Sequence, residues 1–212
     1  MYKRYFKRFF DIVVALFAIV FFGWLLAILA LMVRVKLGSP VIFRQDRPGR
    51  NGEVFRLYKF RSMSDQRDEN GALLPDSVRL NRFGRLLRAS SLDELPEIFN
   101  ILKGDMSFVG PRPWSVQYLK YYTAEENRRH EVRPGLTGLA QVNGRTAANW
   151  DERLKYDITY VDNVSFALDM KILFLTIKKV LCKSDIVEAG LQGDFDEYRR
   201  KQWESGEMKR NT

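Results

Sequence analysis

The sequence predicts an α+β protein: an N-terminal re-entrant membrane helix, then a compact, mostly helical cytoplasmic domain with a small β-hairpin and interfacial amphipathic helices. Three observations predict it. The 22-residue stretch from Ile12 to Val33 carries no charge and is long enough for a hydrocarbon core about 30 Å thick. Basic clusters flank that stretch on both sides. Beyond it, short β-prone runs come first and runs with helical period follow.

The 212 residues, 46% of them hydrophobic, suffice for one folded domain with its own core and exclude intrinsic disorder as the main state. One cysteine and one histidine exclude a disulfide framework, a zinc finger and a His-based di-metal centre. A metal in this chain is therefore a hard ion held by carboxylates. The first 61 residues hold twelve Lys/Arg against three acids, which equals the whole net charge of +9. A nucleic-acid reader has no reason to gather its charge around an apolar run. A protein on anionic lipid does, because each basic residue near the surface contributes about 1 kcal/mol.

Taken in order, the N-terminal segment 1–36 is the membrane-inserted helix. It is too long for a signal peptide, and no small-x-small cleavage site precedes Arg34. A single crossing would put Lys3, Arg4, Lys7 and Arg8 across the membrane from the basic residues after Val33, against the positive-inside tendency. A helix that enters, breaks and returns satisfies both clusters, with Gly23 near its middle as the breaking point.

Segment 37–183 reads as the cytosolic-face domain. Val41–Phe43 and Val54–Tyr58, joined by the turn-rich Pro48–Gly52, suggest a hairpin. Val78–Arg88, Leu95–Leu102, Ser115–Arg129 and Asn149–Tyr160 read as helices. In Phe166–Leu181, the residues Phe166, Met170, Leu173, Phe174, Ile177 and Leu181 share one face bordered by Lys171 and Lys178. That face suits either a core-facing helix or an interfacial one with snorkelling lysines. Segment 184–212 is a polar C-terminal tail, read as a peripheral helix or a partly disordered stretch.

The chemistry falls between Lys59 and Arg145. Ser91-Leu92-Asp93-Glu94-Leu95-Pro96 puts two adjacent carboxylates at a helix start, where Ser91 with Glu94 matches a capping box and Asp93 is an alternative cap. Pro96 disfavours Ser91 as the cap, because a fifth helical proline clashes with a carbonyl. Arg88 lies five residues before Asp93, and Arg112 sits between Pro111 and Pro113, its backbone narrowed by the proline that follows. The series Arg79, Arg82, Arg85, Arg88 steps by three and so rotates round a helix, which leaves Arg88 as its member for chemistry. Arg133 to Arg145 holds three glycines and ends in Asn143-Gly144-Arg145. It is either a close approach to phosphate or a structural turn, and no Gly-Lys-Ser/Thr makes it a Walker A loop.

Lys59-Phe60-Arg61-Ser62-Met63, Ser91 to Pro96, Lys103-Gly104-Asp105-Met106-Ser107-Phe108-Val109-Gly110-Pro111-Arg112-Pro113 and Arg133-Pro134-Gly135-Leu136-Thr137-Gly138 stand in order and spacing. With these motifs the chain resembles the bacterial sugar transferases, small monotopic phosphoglycosyl transferases, over about residues 3–183. The resemblance implies transfer of a sugar 1-phosphate from a UDP-sugar to undecaprenyl phosphate, with release of UMP and a requirement for Mg²⁺. It implies Asp93 as nucleophile, giving a phosphosugar–enzyme intermediate, and Glu94 in metal or proton handling, so that Asp93 and Glu94 are also the metal candidates. Arg88, Arg112 and Arg145 are implied phosphate contacts, with Lys59 and Asp169 as further active-site candidates. It places the protein on the cytoplasmic face of the bacterial inner membrane among membrane lipids, with no nucleic-acid partner. A homodimer is left open, as is the sugar. Members of the family often carry Ser-Pro where the membrane helix breaks, whereas this chain has Gly23-Trp24 and no proline before Pro40.

Overall fold

A long apolar run without proline pairs its own backbone groups best as one helix. A computed structural model, which describes residues 2–143, 149–182 and 194–207, has this helix as α1, Lys7–Leu37, after one π-helical turn at Tyr2–Phe6. The backbone stays helical through Gly23, so the expected break is not there. The physical reason is that glycine keeps its N–H and leaves the hydrogen-bond ladder uncut, where proline would remove a rung. Near one end Ala15 packs with Leu57, Ile101 and Met106; near the other Leu29, Val33 and Leu37 pack with Phe60 and Leu87. Between them Phe17, Val20, Phe21, Phe22 and Trp24 are exposed.

The hairpin forms as expected. Strands β1, Ile42–Pro48, and β2, Val54–Phe60, pair antiparallel from Ile42 opposite Phe60 to Pro48 opposite Val54. Their turn uses Asn51 (φ 57°) and Gly52 (φ 78°), residue types that tolerate the left-handed region.

Two of the predicted helices are broken by caps. Val78–Arg88 becomes α2, Asp76–Arg79, and α3, Arg82–Ala89, because the Asn81 side chain accepts from the Gly84 N–H at 2.8 Å and starts a new helix. Ser115–Arg129 becomes a 3₁₀ stretch, Val116–Tyr121, then α5, Ala124–Asn127, then a second 3₁₀ turn, Arg128–Glu131. A capping box between Thr123 and Glu126 makes that division.

Helix α4, Glu97–Lys103, leads into β3, Ser107–Val109, which pairs in parallel with β4, Gly135–Thr137. The glycines of both motifs serve this crossing. A Cβ on Gly110 would lie 2.4 Å from the Arg133 carbonyl, and one on Gly138 would lie 2.2 Å from the Gly110 carbonyl. The close approach that Gly135 and Gly138 permit is therefore to backbone, which settles their part of that motif as structural.

Helices α6, Leu139–Asn143, α7, Trp150–Asp162, and α8, Phe166–Leu181, follow. On α8 the expected face is outward: Phe166, Met170, Phe174 and Ile177 are exposed, while Ile172 is buried against Val109, Tyr160 and Val161. Leu173 of that stripe packs on the same cluster, so the stripe faces mainly outward, with one residue turned to the core. The stretch read as a polar tail contains α9, Phe195–Glu204, and buries Phe195 among Trp114, Tyr118, Tyr122 and Trp150. The aromatic residues that pack there, Phe195, Tyr198 and Trp203, lie among charged side chains and are too few to stand out as a periodic apolar face.

Candidate active site

Strand β2 ends at Lys59-Phe60, and α4 lies alongside it because Asn100 stands in for a neighbouring strand. Asn100 Oδ1 accepts from the Tyr58 N–H at 3.0 Å, and Nδ2 donates to the Arg56 carbonyl at 2.7 Å. The pairing sets the register between Lys59 and the carboxylates at the start of α4. Lys59 Nζ is 2.6 Å from Glu94 Oε1 and 3.4 Å from Glu97 Oε1. The far end of α4 is held as firmly. Arg8 donates from α1 to the carbonyls of Ile101 (2.5 Å) and Leu102 (2.8 Å) in the last turn of α4, where acceptors outnumber the helix's own donors.

Neither capping reading survives. Ser91 is left-handed (φ 56°) and makes no side-chain cap bond. The 3₁₀ turn Leu92–Glu94 follows it, and α4 begins after Pro96, also without a side-chain cap. Pro96 thus precedes the helix and breaks no hydrogen bond within it. Asp93 is buried, and its carboxylate makes no hydrogen bond to a described residue.

Arg112 reaches the same carboxylates from the loop after β3, with Nη2 2.5 Å from Glu94 Oε1 and Nη1 3.4 Å from Oε2. Arg88 arrives from α3, its Nε donating to Ser62 Oγ at 2.8 Å. Gly84 allows this: a Cβ there would lie 1.9 Å from the Ser62 carbonyl, so α3 rests directly on the backbone after β2.

Burial raises the Asp93 pKa and the neighbouring Glu94 charge adds to it, while Lys59, Arg88 and Arg112 pull it back. Burial also opposes ionisation of Glu94, but Arg112 and Lys59 outweigh it and hold Glu94 below the usual carboxylate range. Glu97, buried behind Glu94 and repelled by its charge, is pushed up. One carboxylate in direct contact with two cations is thus locked as an anion, a second stands near three cations without touching any, and a third favours its proton.

Of the residues expected from the sequence, Lys59, Arg88, Asp93, Glu94 and Arg112 come together here. Arg145 lies outside the described residues. Asp169 is not brought to this group: buried at the first turn of α8, it accepts from Tyr2 Oη and Lys7 Nζ, both at 2.6 Å, and from Tyr160 Oη at 2.8 Å. Its partners make it a tie between the N-terminus, α7 and α8, and the substrate-binding role expected for it is not supported. Glu97 and Asn100, which complete the group, carry little local signal in the sequence. The one usable signal was Asn100 itself, a lone amide inside the apolar run Ile98-Phe99-Asn100-Ile101-Leu102.

Among the described residues no group of three or more His, Cys, Asp or Glu is arranged to hold a metal. Mg²⁺ commonly takes only one or two carboxylates and completes its shell with water and substrate phosphates. Asp93 and Glu94 Oε2, which has a single partner at 3.4 Å among the described residues, match that smaller demand.

The family model for bacterial sugar transferases matches residues 2–183, which contain every one of these side chains. The chain belongs to the bacterial sugar transferase family. This sugar transferase is 53% identical over 180 residues to the uncharacterized sugar transferase EpsL of Bacillus subtilis (strain 168), spanning 85% of this chain and 89% of that protein. It is 39% identical over 184 residues to the UDP-glucose:undecaprenyl-phosphate glucose-1-phosphate transferase of Klebsiella pneumoniae, covering 82% of this chain and 40% of that one. It is 39% identical over 183 residues to the UDP-N-acetylgalactosamine-undecaprenyl-phosphate N-acetylgalactosaminephosphotransferase of Aeromonas hydrophila, covering 82% and 43%. The chain thus spans about two fifths of the length of the latter two. Helix α9 of this transferase lies beyond the matched segment.

Proposed function

We propose that this chain moves a sugar 1-phosphate from a UDP-sugar to undecaprenyl phosphate through a covalent intermediate on Asp93. The observation that carries the reading is the state of Asp93: buried, not a cap, without a hydrogen-bond partner among the described residues, and set among Lys59, Arg88 and Arg112. A carboxylate that stabilised the fold would be bonded, as Asp169 is. One left unbonded among cations keeps its lone pairs for an electrophile whose negative charge those cations neutralise.

An Asp93 oxygen attacks the β-phosphorus, and the bond from that phosphorus to the bridging oxygen breaks. UMP leaves with that oxygen and the electron pair. An oxygen of the lipid phosphate then attacks the same phosphorus, the bond to Asp93 breaks, and the carboxylate is restored beside a polyprenyl diphosphate-sugar. Arg112 and Arg88 orient phosphate oxygens. Glu94 holds Arg112 and Lys59 in place around the diphosphate. Asp93 and Glu94 are the residues that would hold Mg²⁺, which would supply further charge neutralisation at the phosphates.

We place the protein on the cytoplasmic face of the inner membrane, with the bare middle of the unbroken helix α1 set against lipid. Support comes from α1 itself, both ends of which pack on the same domain while its middle is bare. The outward apolar face of α8 adds a second lipid contact. Relatives are named for galactosyl, glucose and N-acetylgalactosamine transfer, so the sugar is found by a panel. Purified protein with Mg²⁺ and undecaprenyl phosphate should release UMP with one of these UDP-sugars. Without lipid it should gain the mass of one phosphosugar, and absence of both rejects the reading.

A further inference from the structure

Helix α9 touches a set of side chains that leads to Arg112. The Phe195 ring is fully buried, 5.2 Å from Trp150, 5.3 Å from Tyr122 and 6.0 Å from Trp114. Four residues on, the buried Arg199 pairs at 2.5 Å with Glu126, the residue that closes the capping box of α5. The aromatic wall that Phe195 completes is the surface on which Arg129 lies, its guanidinium 4.1 Å from the Trp114 ring centre and 5.5 Å from that of Tyr122.

Arg129 is itself buried and donates four hydrogen bonds. Nε and Nη2 donate to Asp157 Oδ2 at 3.0 and 2.7 Å, and Nη1 donates to Tyr122 Oη at 3.2 Å. Nη2 also donates to the Arg112 carbonyl at 2.7 Å. That carbonyl belongs to the peptide between Arg112 and Pro113, so fixing it fixes ψ of Arg112, already narrowed by the proline. A planar, rigid fork of donors suits this task, since it can hold a carboxylate, a phenol and a carbonyl in one fixed relation.

We propose that Arg129 is a positioning residue for Arg112, and that α9, beyond the family's matched segment, keeps it in place by closing the aromatic wall with Phe195. The proposal rests on the reading of Arg112 as a phosphate ligand. If α9 only stabilised the domain, losing its anchor would lower stability without acting through Arg112.

A double-mutant cycle separates the two. Phe195→Ala and the milder Phe195→Leu are made in the full chain, each alone and with Arg112→Lys. UDP affinity by calorimetry, KM and kcat for the UDP-sugar, and melting temperature are measured for each. Phe195→Ala should weaken UDP binding and kcat/KM about tenfold when Arg112 is present and less than about twofold in the Arg112→Lys background, with the same fall in melting temperature in both backgrounds. Phe195→Leu should show the same non-additivity at smaller amplitude, and it carries the cycle if the alanine variant does not fold. Equal losses in both backgrounds, or no loss in a folded variant, overturn the proposal. If the wild-type chain releases no UMP, the transfer reading fails, while the UDP-affinity cycle still decides this one.

Discussion

A Cβ on Gly135 would lie 2.1 Å from the amide nitrogen of Gly110. The two residues join the short parallel strands β3 and β4 backbone to backbone, and the chain leaves Gly110 directly into Pro111-Arg112-Pro113. Neither partner can retreat, because Gly110 N donates to the Thr137 carbonyl at 2.9 Å and Gly135 N donates to the Pro111 carbonyl at 3.0 Å. Gly135→Ala should therefore cost about 3 kcal/mol or more, the upper range for overpacking. The comparison is Gly23→Ala, at a helical position with no atom within 4 Å of the added carbon, which should cost nothing. Chemical unfolding of both variants checks the contrast.

Asp93→Asn should abolish UMP release and the phosphosugar adduct, because an amide cannot attack phosphorus, while leaving the fold intact. The sign of the stability change follows from the raised pKa of Asp93. The folded state holds that proton more tightly than the unfolded chain, so ionisation at neutral pH works against folding. The neutral asparagine should melt at or slightly above the wild-type temperature at pH 7. A marked fall would mean that Asp93 supports the fold after all.

For Arg112→Lys we expect kcat/KM to fall at least about tenfold, roughly 1.4 kcal/mol, with the melting temperature little changed. Lysine keeps the charge but cannot meet Glu94 Oε1 and Oε2 together, as the guanidinium does. Steady-state kinetics with the preferred UDP-sugar check it.

Glu97 offers a pH test of the fold. Burial and the Glu94 charge push its pKa from 4.5 up to about 7. Between those values the folded state binds a proton that the unfolded chain has lost, so stability should decline as pH rises through that window, by at most about 1.4 kcal/mol per pH unit. Glu97→Gln removes that slope. Urea unfolding from pH 5 to pH 7.5 should show the wild type declining relative to the variant.

Much of this was legible in the sequence, where the signal was local. The hairpin showed through β-prone runs around Pro48–Gly52, and α8 through its repeat of apolar residues. Arg88, Asp93, Glu94 and Arg112 stood out because each sits by a proline or near another charge, whereas Lys59 entered only through the family resemblance. Caps were equally local, and Asn81 and the Thr123–Glu126 box marked two helix starts that the apolar pattern ran across. Long-range pairing was not legible. Asp169 resembles any first-turn acid until Lys7 and Tyr2, 162 and 167 residues away, are seen to hold it. Arg128 and Arg129 are indistinguishable as neighbours in sequence, yet the first bonds surface acids at Glu125 and Glu131 while the second is enclosed.

The enclosure of Arg129 divides the site by what dissolved ions can reach. Its pair with Asp157 has side chains 1% and 2% exposed, whereas the Arg112 side chain is 35% exposed. At physiological ionic strength mobile ions screen exposed charges beyond about 8 Å, and buried pairs much less. Added salt should therefore weaken the pull of the Arg112 guanidinium on an anion while leaving the Arg129–Asp157 pair in place, so UDP affinity measured against ionic strength should fall with no matching loss of melting temperature.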